Sequence, residues 1–363
     1  MCDTSTLMRA NDDLPCAMDA PVCSHPSYCA SLETVRDAHV RIRDHIHRTP
    51  VFTSSQLDRL TGCQLFFKCE NLQKTGAFKY RGACNAVMQL TADEAAHGVV
   101  THSSGNHAAA LALAAKVRGI PAFIVLPRDT PAVKVEAIQG YGGRITLCDP
   151  GMDNREAACA QLQAQTGAVF IPPYNHAGII SGQGTLALEL LEQVPDLDAV
   201  VVPVSGGGMI SGVAVAVRGL QPRMKVIAAE PCGLQGTAAD VAQCKAAGQL
   251  VPCEMPHTIA DGLRGRLGDL TWPIVRDCVD VCVPVSESDI VTAMRLVFER
   301  LKLVVEPSGA AGLAAVLRWT QAARDSPSGS DWSELANCKR VGIILCGGNV
   351  DLAAKGLWEQ WGA

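Results

Sequence analysis

Short, wholly apolar runs alternate along most of this chain with longer segments whose apolar residues recur at helical spacing. The first kind reads as buried strands and the second as helices. Residues 31–47, SLETVRDAHVRIRDHIH, begin with Ser31 and Glu33 and carry Leu32, Val35, Val40, Ile42 and Ile46 as a helical stripe, with Pro50 beyond. CQLFFKCE (63–70) predicts a short strand and 81–90 a helix. From residue 98 the alternation becomes regular. GVVTHSS ends a strand, NHAAALALAAKVRG is an alanine-rich helix closed by Gly119, and PAFIVLP is the next strand. PAVKVEAIQGYG, GRITLCDP, NREAACAQLQAQTG and AVFIPP continue as helix, strand, helix and strand. AVVVPVSGGG (199–208), a helix to about 219, KVIAAEP (225–231) and a final strand RVGIILCGGN complete the series. CVDVC predicts a strand with Cys278 and Cys282 on one face, and RDSPSGSD (324–331) a surface loop. Strands apolar on both faces and separated by helices imply parallel sheets covered on both sides.

Composition narrows the class. At about 150 residues per domain, 363 residues suggest two domains. Hydrophobic residues make up 48% and charged residues only 18%, with Gly and Ala abundant and aromatics at 4%, which suits an α/β enzyme with close helix–sheet packing. The net charge of −5, without basic blocks, argues against nucleic acid or an anionic membrane as partner. Sixteen cysteines occur without a CxxC pair or a Cys/His cluster at zinc spacing, so they read as free, mostly buried thiols of a reducing compartment. No segment reaches the roughly 20 apolar residues of a membrane helix. Residues 1–27 lack an apolar signal core and are not Arg-rich; they are expected to be a disordered extension, and the protein cytoplasmic.

Three turns carry candidate chemistry. VVVPVSGGGMISG joins a buried strand to a helix through Ser205, Gly206, Gly207 and Gly208, where backbone amides can approach a phosphate at a helix N-terminus. Gly206, Gly208 and Gly212, with Glu230 ending the next strand, also approximate a dinucleotide fingerprint, one residue too long; a nicotinamide dehydrogenase is the competing reading. Ser103, Ser104, Gly105, Asn106 and His107 form a second donor-rich turn suited to a carboxylate, one of them serving as helix cap. Cys346 stands beside two glycines in the third. NLQKTGAFKYRG adds two lysines. Lys79, between Phe78 and Tyr80, has a setting that could desolvate it and free its amine to react; Lys74, in LQKT, does not. A phosphate cradle, a separate carboxylate cradle and a reactive lysine together describe pyridoxal phosphate chemistry.

KTGAFKYRG, SSGNH, SGGGMISG, EPSGAAGLAAVL and CGGNVDL resemble, in order, the fold-type II pyridoxal phosphate enzymes of the serine/threonine dehydratase group. The resemblance runs from about residue 28 to 358. RIRDHIHRTPVFTSSQLDRLTG and IADGL are similar to its eukaryotic serine racemases. It implies the tryptophan synthase β-like, two-domain α/β fold: a large domain of residues 28–97 plus 177–363, and a small domain of 98–176. It implies that Lys79 holds pyridoxal 5'-phosphate as a Schiff base and acts as a base on one face of Cα, with Ser104 as acid/base on the other. Phe78 would pack on the ring and Asn106 bond its phenolic oxygen. Ser205, Gly206, Gly207, Gly208 and Met209 would bind the phosphate, and Cys346 would face the pyridine nitrogen. Ser103, Ser104, Gly105, Asn106 and His107 would bind the substrate carboxylate.

The same resemblance implies a Mg²⁺ or Ca²⁺ site at Glu230, the carbonyl of Ala238 and Asp240, within a longer loop than usual. It also implies a homodimer, with a nucleotide site for ATP as activator at Ser54, Ser55, Lys74 and Thr75; Ala109 replaces a glutamine expected there. Cys346 and Ser205 depart from the racemase pattern, as do Tyr174 for Asn and Gly265 for a serine, the last flanked by Arg264 and Arg266. The expected activity is racemisation of serine with β-elimination to pyruvate and ammonia. An L-serine/L-threonine ammonia-lyase and a 3-hydroxyaspartate dehydratase are the alternatives, and a non-enzymatic binding protein would keep the fold without the Schiff base.

Overall fold

The computed structural model describes residues 28–103, 105–234, 236, 240–325 and 332–352. The expected extension 1–27 and most of the 324–331 loop lie outside the described residues, as does Ser104. Among the described residues, ten strands form two sheets: β1 (Val51–Phe52), β2 (Gln64–Lys68), β3 (Val99–Thr101), β4 (Ala122–Pro127), β5 (Gly143–Cys148), β6 (Val169–Phe170), β7 (Ala199–Pro203), β8 (Lys225–Pro231), β9 (Val281–Val285) and β10 (Arg340–Ile344). The larger sheet has the order β1-β2-β10-β7-β8-β9, parallel except for the β1–β2 pair, and the smaller has β5-β4-β3-β6, wholly parallel.

The unbroken apolar runs follow from this topology. In β7, Ala199 and Val201 join the core on one face of the larger sheet, while Val200 and Val202 join the core on the other. A strand with helices on both faces has no polar face to show as alternation. A third core, containing Val99, Leu111, Ile124 and Ile171, supports the smaller sheet. Its alanine-rich helix, Asn106–Arg118, stops at Gly119, which is left-handed at φ 77°.

One predicted element is corrected. Cys278 does not share a strand face with Cys282; it ends the Trp272–Cys278 helix, which buries Trp272, Ile274, Val275 and Cys278. That spacing is helical, and the short apolar run could not distinguish it from a strand. Strand pairing begins only at Val281. The predicted final strand likewise stops at Ile344, and Cys346 lies in the turn beyond it.

A buried ionic network anchors the Lys79–Gln89 helix to the larger sheet. Arg81 donates to Glu70 at 2.7 and 2.8 Å and to Glu189 at 2.7 and 2.8 Å, and Lys68 donates to Glu189 at 2.6 Å. Thr49 donates to Glu70, and Gln193 accepts from Lys68. With every charge paired, the network holds the helix start in one position.

Candidate active site

The ends of β3, β7 and β10 converge on a cavity of about 860 Å³, lined largely by the turns and helix starts that follow the strands of both sheets. Ligands of parallel sheets bind at such carboxyl ends. The segment carrying Lys79 is fixed there by the β10 turn: Phe78 N–H donates to the Cys346 carbonyl and Gly348 N–H to the Gly76 carbonyl. Lys79 begins its helix and lines the cavity. Its ammonium donates to the Pro173 carbonyl at 2.7 Å and lies 5.1 Å from the centre of the Phe78 ring. Burial lowers its pKa to about 8, against the opposing pull of Cys346 and Glu306. Such an amine is neutral often enough near physiological pH to react.

Across the cavity, Gly206–Gly208 lead into the Gly208–Leu220 helix. Gly207 is left-handed at φ 86°. A Cβ at Gly206 would run into the Tyr174 ring, and one at Gly207 would meet Thr271 at 2.9 Å. Among the described residues, the amides of Gly206, Gly207, Gly208 and Met209 have no protein hydrogen-bond acceptor. Four unsatisfied amides at a helix N-terminus are an anion cradle. Ser205 braces it from behind, its Oγ accepting the Gly265 N–H at 2.8 Å.

Asn106 opens the helix after β3. Its amide donates to Glu306 at 2.9 and 3.2 Å, and its carbonyl oxygen accepts from Asn349 at 2.9 Å. The Asn349 backbone N–H also reaches Glu306, at 3.2 Å. Burial pushes the Glu306 carboxyl up to about 7, while the Asn106 hydrogen bond pulls it down. Cys346 is buried at the same wall, and burial, followed by the nearby Glu306, holds its thiol well above the ordinary range. His107 also lines the cavity, with its Nε2 2.9 Å from the Ile171 carbonyl; burial, then the Lys79 charge, lowers its pKa to about 3, so the ring is neutral. Ser103 and Gly105 line the cavity.

Two functional candidates escaped the sequence reading. Glu306 is the first letter of EPSGAAGLAAVL, where it looks like a helix-start acid; the signal was a carboxylate directly after an apolar pair. Arg155 lines the cavity with its Nε buried and unpartnered. Arg264 and Arg266 are exposed, and Arg264 donates to the Thr258 carbonyl at 2.7 Å.

The residues expected at a cation or nucleotide are placed as follows. The Glu230 carboxylate accepts from the amides of Val241 and Ala242, each at 2.9 Å, and from the Cys282 thiol at 2.9 Å. Asp240 accepts from the Leu267 amide at 2.7 Å. Ala238 lies outside the described residues. Ser54 caps the Ser55–Thr61 helix, Lys74 lies 5.8 Å over the Tyr80 ring, and Thr75 holds a left-handed φ of 62° with its hydroxyl buried and unpartnered.

The donor set fits pyridoxal phosphate: a depressed-pKa lysine faces the cavity that the four free amides border. Comparison with known proteins agrees. The family model described as "Pyridoxal-phosphate dependent enzyme" matches residues 42–347. A serine racemase of Arabidopsis thaliana is 54% identical over 92% of this chain and 97% of its own. A beta-hydroxyaspartate dehydratase of Paracoccus denitrificans is 48% identical over 90% and 98%. The solved structure of maize serine racemase superposes with a TM-score of 0.84 at 51% identity, covering 92% of this chain and 97% of that one.

Proposed function

The chain belongs to the pyridoxal-phosphate dependent enzymes, and from that membership we propose that it interconverts L- and D-serine and also converts serine to pyruvate and ammonia by β-elimination. The observation that carries this reading is the Lys79 amine, desolvated in a cavity bordered by an empty-handed amide cradle. Pyridoxal phosphate, when bound, supplies an aldehyde carbon that captures amines and a ring that takes up the charge left at Cα. Lys79 holds it there, and the freed lysine amine moves the Cα proton on one face. The amides of Gly206 to Met209, with Ser205 beneath them, bind the phosphate. Phe78 packs on the ring. The turn formed by Ser103, Ser104, Gly105, Asn106 and His107 receives the substrate carboxylate. Ser104 supplies or removes the proton on the opposite face, which racemisation requires and elimination does not. Asn106, oriented by Glu306, would turn one amide hydrogen from the carboxylate to the cofactor's phenolic oxygen. Cys346, an uncharged thiol, would stand at the ring nitrogen and offer it no charge to stabilise a proton.

Residues 98–176 form the smaller domain in this reading. Closure of the two domains would assemble the catalytic groups, and the Lys134–Asp261 pair at 3.0 Å joins the two sides of the cavity mouth. The reading extends to Mg²⁺ or Ca²⁺ at Glu230, Ala238 and Asp240, to a homodimer, and to ATP at Ser54, Ser55, Lys74 and Thr75. It also extends to a cytoplasmic location, supported by free buried thiols such as Cys63, Cys69 and Cys84, although Cys278, expected to be free, is disulfide-bonded; no described helix is long and apolar enough to cross a membrane.

Incubation of the purified enzyme with L-serine, followed by chiral analysis, tests the proposal: D-serine and pyruvate are both expected. Pyruvate without D-serine would instead establish an ammonia-lyase. Arg155 favours one further reading, a 3-hydroxyaspartate dehydratase, because an unpartnered guanidinium nitrogen in the cavity can pair with a second carboxylate.

A further inference from the structure

The loop after β8 brings Asp240, already assigned to a hard cation, together with two cysteines that the catalytic reading does not use. Asp240 and Cys244 are one turn apart on the Asp240–Ala247 helix and so share a face. The chain then turns back and sets Cys253 against them. All three residues are buried, and their ligand atoms lie within 4.8 Å of one another. Cys244 Sγ is 3.9 Å from Asp240 Oδ1. Tetrahedral zinc, with bonds of roughly 2.0–2.3 Å, spans its ligands at about 3.5–3.8 Å, so small side-chain shifts suffice to close the set.

Two of the three ligands are held from behind by backbone amides. The Leu267 amide takes Asp240 Oδ2, leaving Oδ1 toward the thiols. The Val251 amide donates to Cys244 Sγ at 3.5 Å, a contact that strengthens when the sulfur is a thiolate. Cys253 differs: as a thiol it donates to Gln243 Oε1 at 3.4 Å, a contact given up when the sulfur becomes a thiolate, which frees the amide oxygen to turn to the ion. Metal ligands characteristically have such partners, which orient them and tune their basicity.

We propose that Asp240, Cys244 and Cys253 form a binding site for a thiophilic divalent cation of the zinc class, distinct in chemistry from any Mg²⁺ or Ca²⁺ site. Two sulfurs and one carboxylate suit a soft or borderline ion and not a hard one. Binding releases the two thiol protons to solvent, and water or the Gln243 carbonyl completes four-coordination. The site lies behind the phosphate cradle: Leu267, whose amide holds Asp240, packs its side chain where a Cβ on Gly207 would stand. Asp240 can serve only one ion, so a zinc-class cation, held by two thiolates besides, displaces any hard cation that uses Asp240 and is not displaced by one. The inference is independent of the catalytic reading, because neither cysteine lines the active cavity.

The test uses the full-length enzyme titrated with Co²⁺, whose thiolate complexes show a charge-transfer absorption. One equivalent is expected to give this band, Zn²⁺ to displace it and Mg²⁺ to leave it. Cys244→Ser and Cys253→Ser should each weaken binding at least about 10-fold, the smallest loss usual even for residues that only support a ligand. A band that survives both substitutions, or no band, overturns the proposal. X-ray absorption of the zinc-loaded wild-type protein needs no variant: two sulfur neighbours at about 2.3 Å are expected, and a shell of oxygen and nitrogen alone overturns it.

Discussion

The Asn106 amide donates to both carboxylate oxygens of Glu306, at 2.9 and 3.2 Å, across the cavity that separates the two sheets. One partner opens the helix after β3 and the other leads into the Pro307–Asp325 helix against the larger sheet. The contact therefore fixes Asn106 only when the two halves are assembled.

Glu306 should make stability depend on pH. Its carboxyl rises from an ordinary 4.5 to about 7 on folding. Between these values the folded state binds more protons than the unfolded state, so stability falls as pH rises from 4.5 toward 7. The full loss is bounded on the order of 3 kcal/mol. Urea unfolding of cofactor-stripped protein at pH 5 and pH 8 should show it, and Glu306→Gln should flatten the difference. An unchanged slope in the variant would mean that another group carries the effect.

Lys79 should be required for both colour and turnover. Lys79→Ala should lose the visible absorption of the bound cofactor and more than about 10²-fold of activity, the lower end of what a positioned proton-transfer group contributes. Retained absorption would assign the cofactor to another lysine.

Arg81 should be costly to remove. Arg81→Ala leaves the Glu70 and Glu189 carboxylates buried with less countercharge, and breaking such a buried pair costs about 3–5 kcal/mol. The urea midpoint should fall accordingly. A loss below about 1 kcal/mol would show that water or rearrangement replaces the guanidinium.

Gly206 and Tyr174 should be coupled. Gly206→Ala sets a methyl group into the Tyr174 ring and should weaken cofactor binding at least about 10-fold by displacing the cradle, a cost of about 1.4 kcal/mol. Adding Tyr174→Ala should restore part of that loss, giving a non-additive double-mutant cycle. Simple additivity of the two effects would mean that the ring does not transmit the strain.

Much of the fold was legible because it rests on local pattern. Parallel strands buried on both faces leave continuous apolar runs, and β4, β7 and β8 appear where those runs predict them. Cys278 was misread because three apolar residues around a helix end look like a strand. Lys79 was legible as a candidate from the motifs around it more than from its own position. Glu306 was not: its significance depends on Asn106, 200 positions away, and on a burial that only packing creates.

The sequence by itself determined the alternation of strands and helices, the glycine turn that can hold a phosphate, and the family to which the site motifs belong. These are encoded in residues close together, through periodicity and backbone freedom. Only the tertiary structure decided which charges lose water, that Tyr174 stands over Gly206, and that Asp240 turns toward Cys244 and Cys253. Desolvation and side-chain proximity depend on segments that meet across the fold, and no local pattern records them.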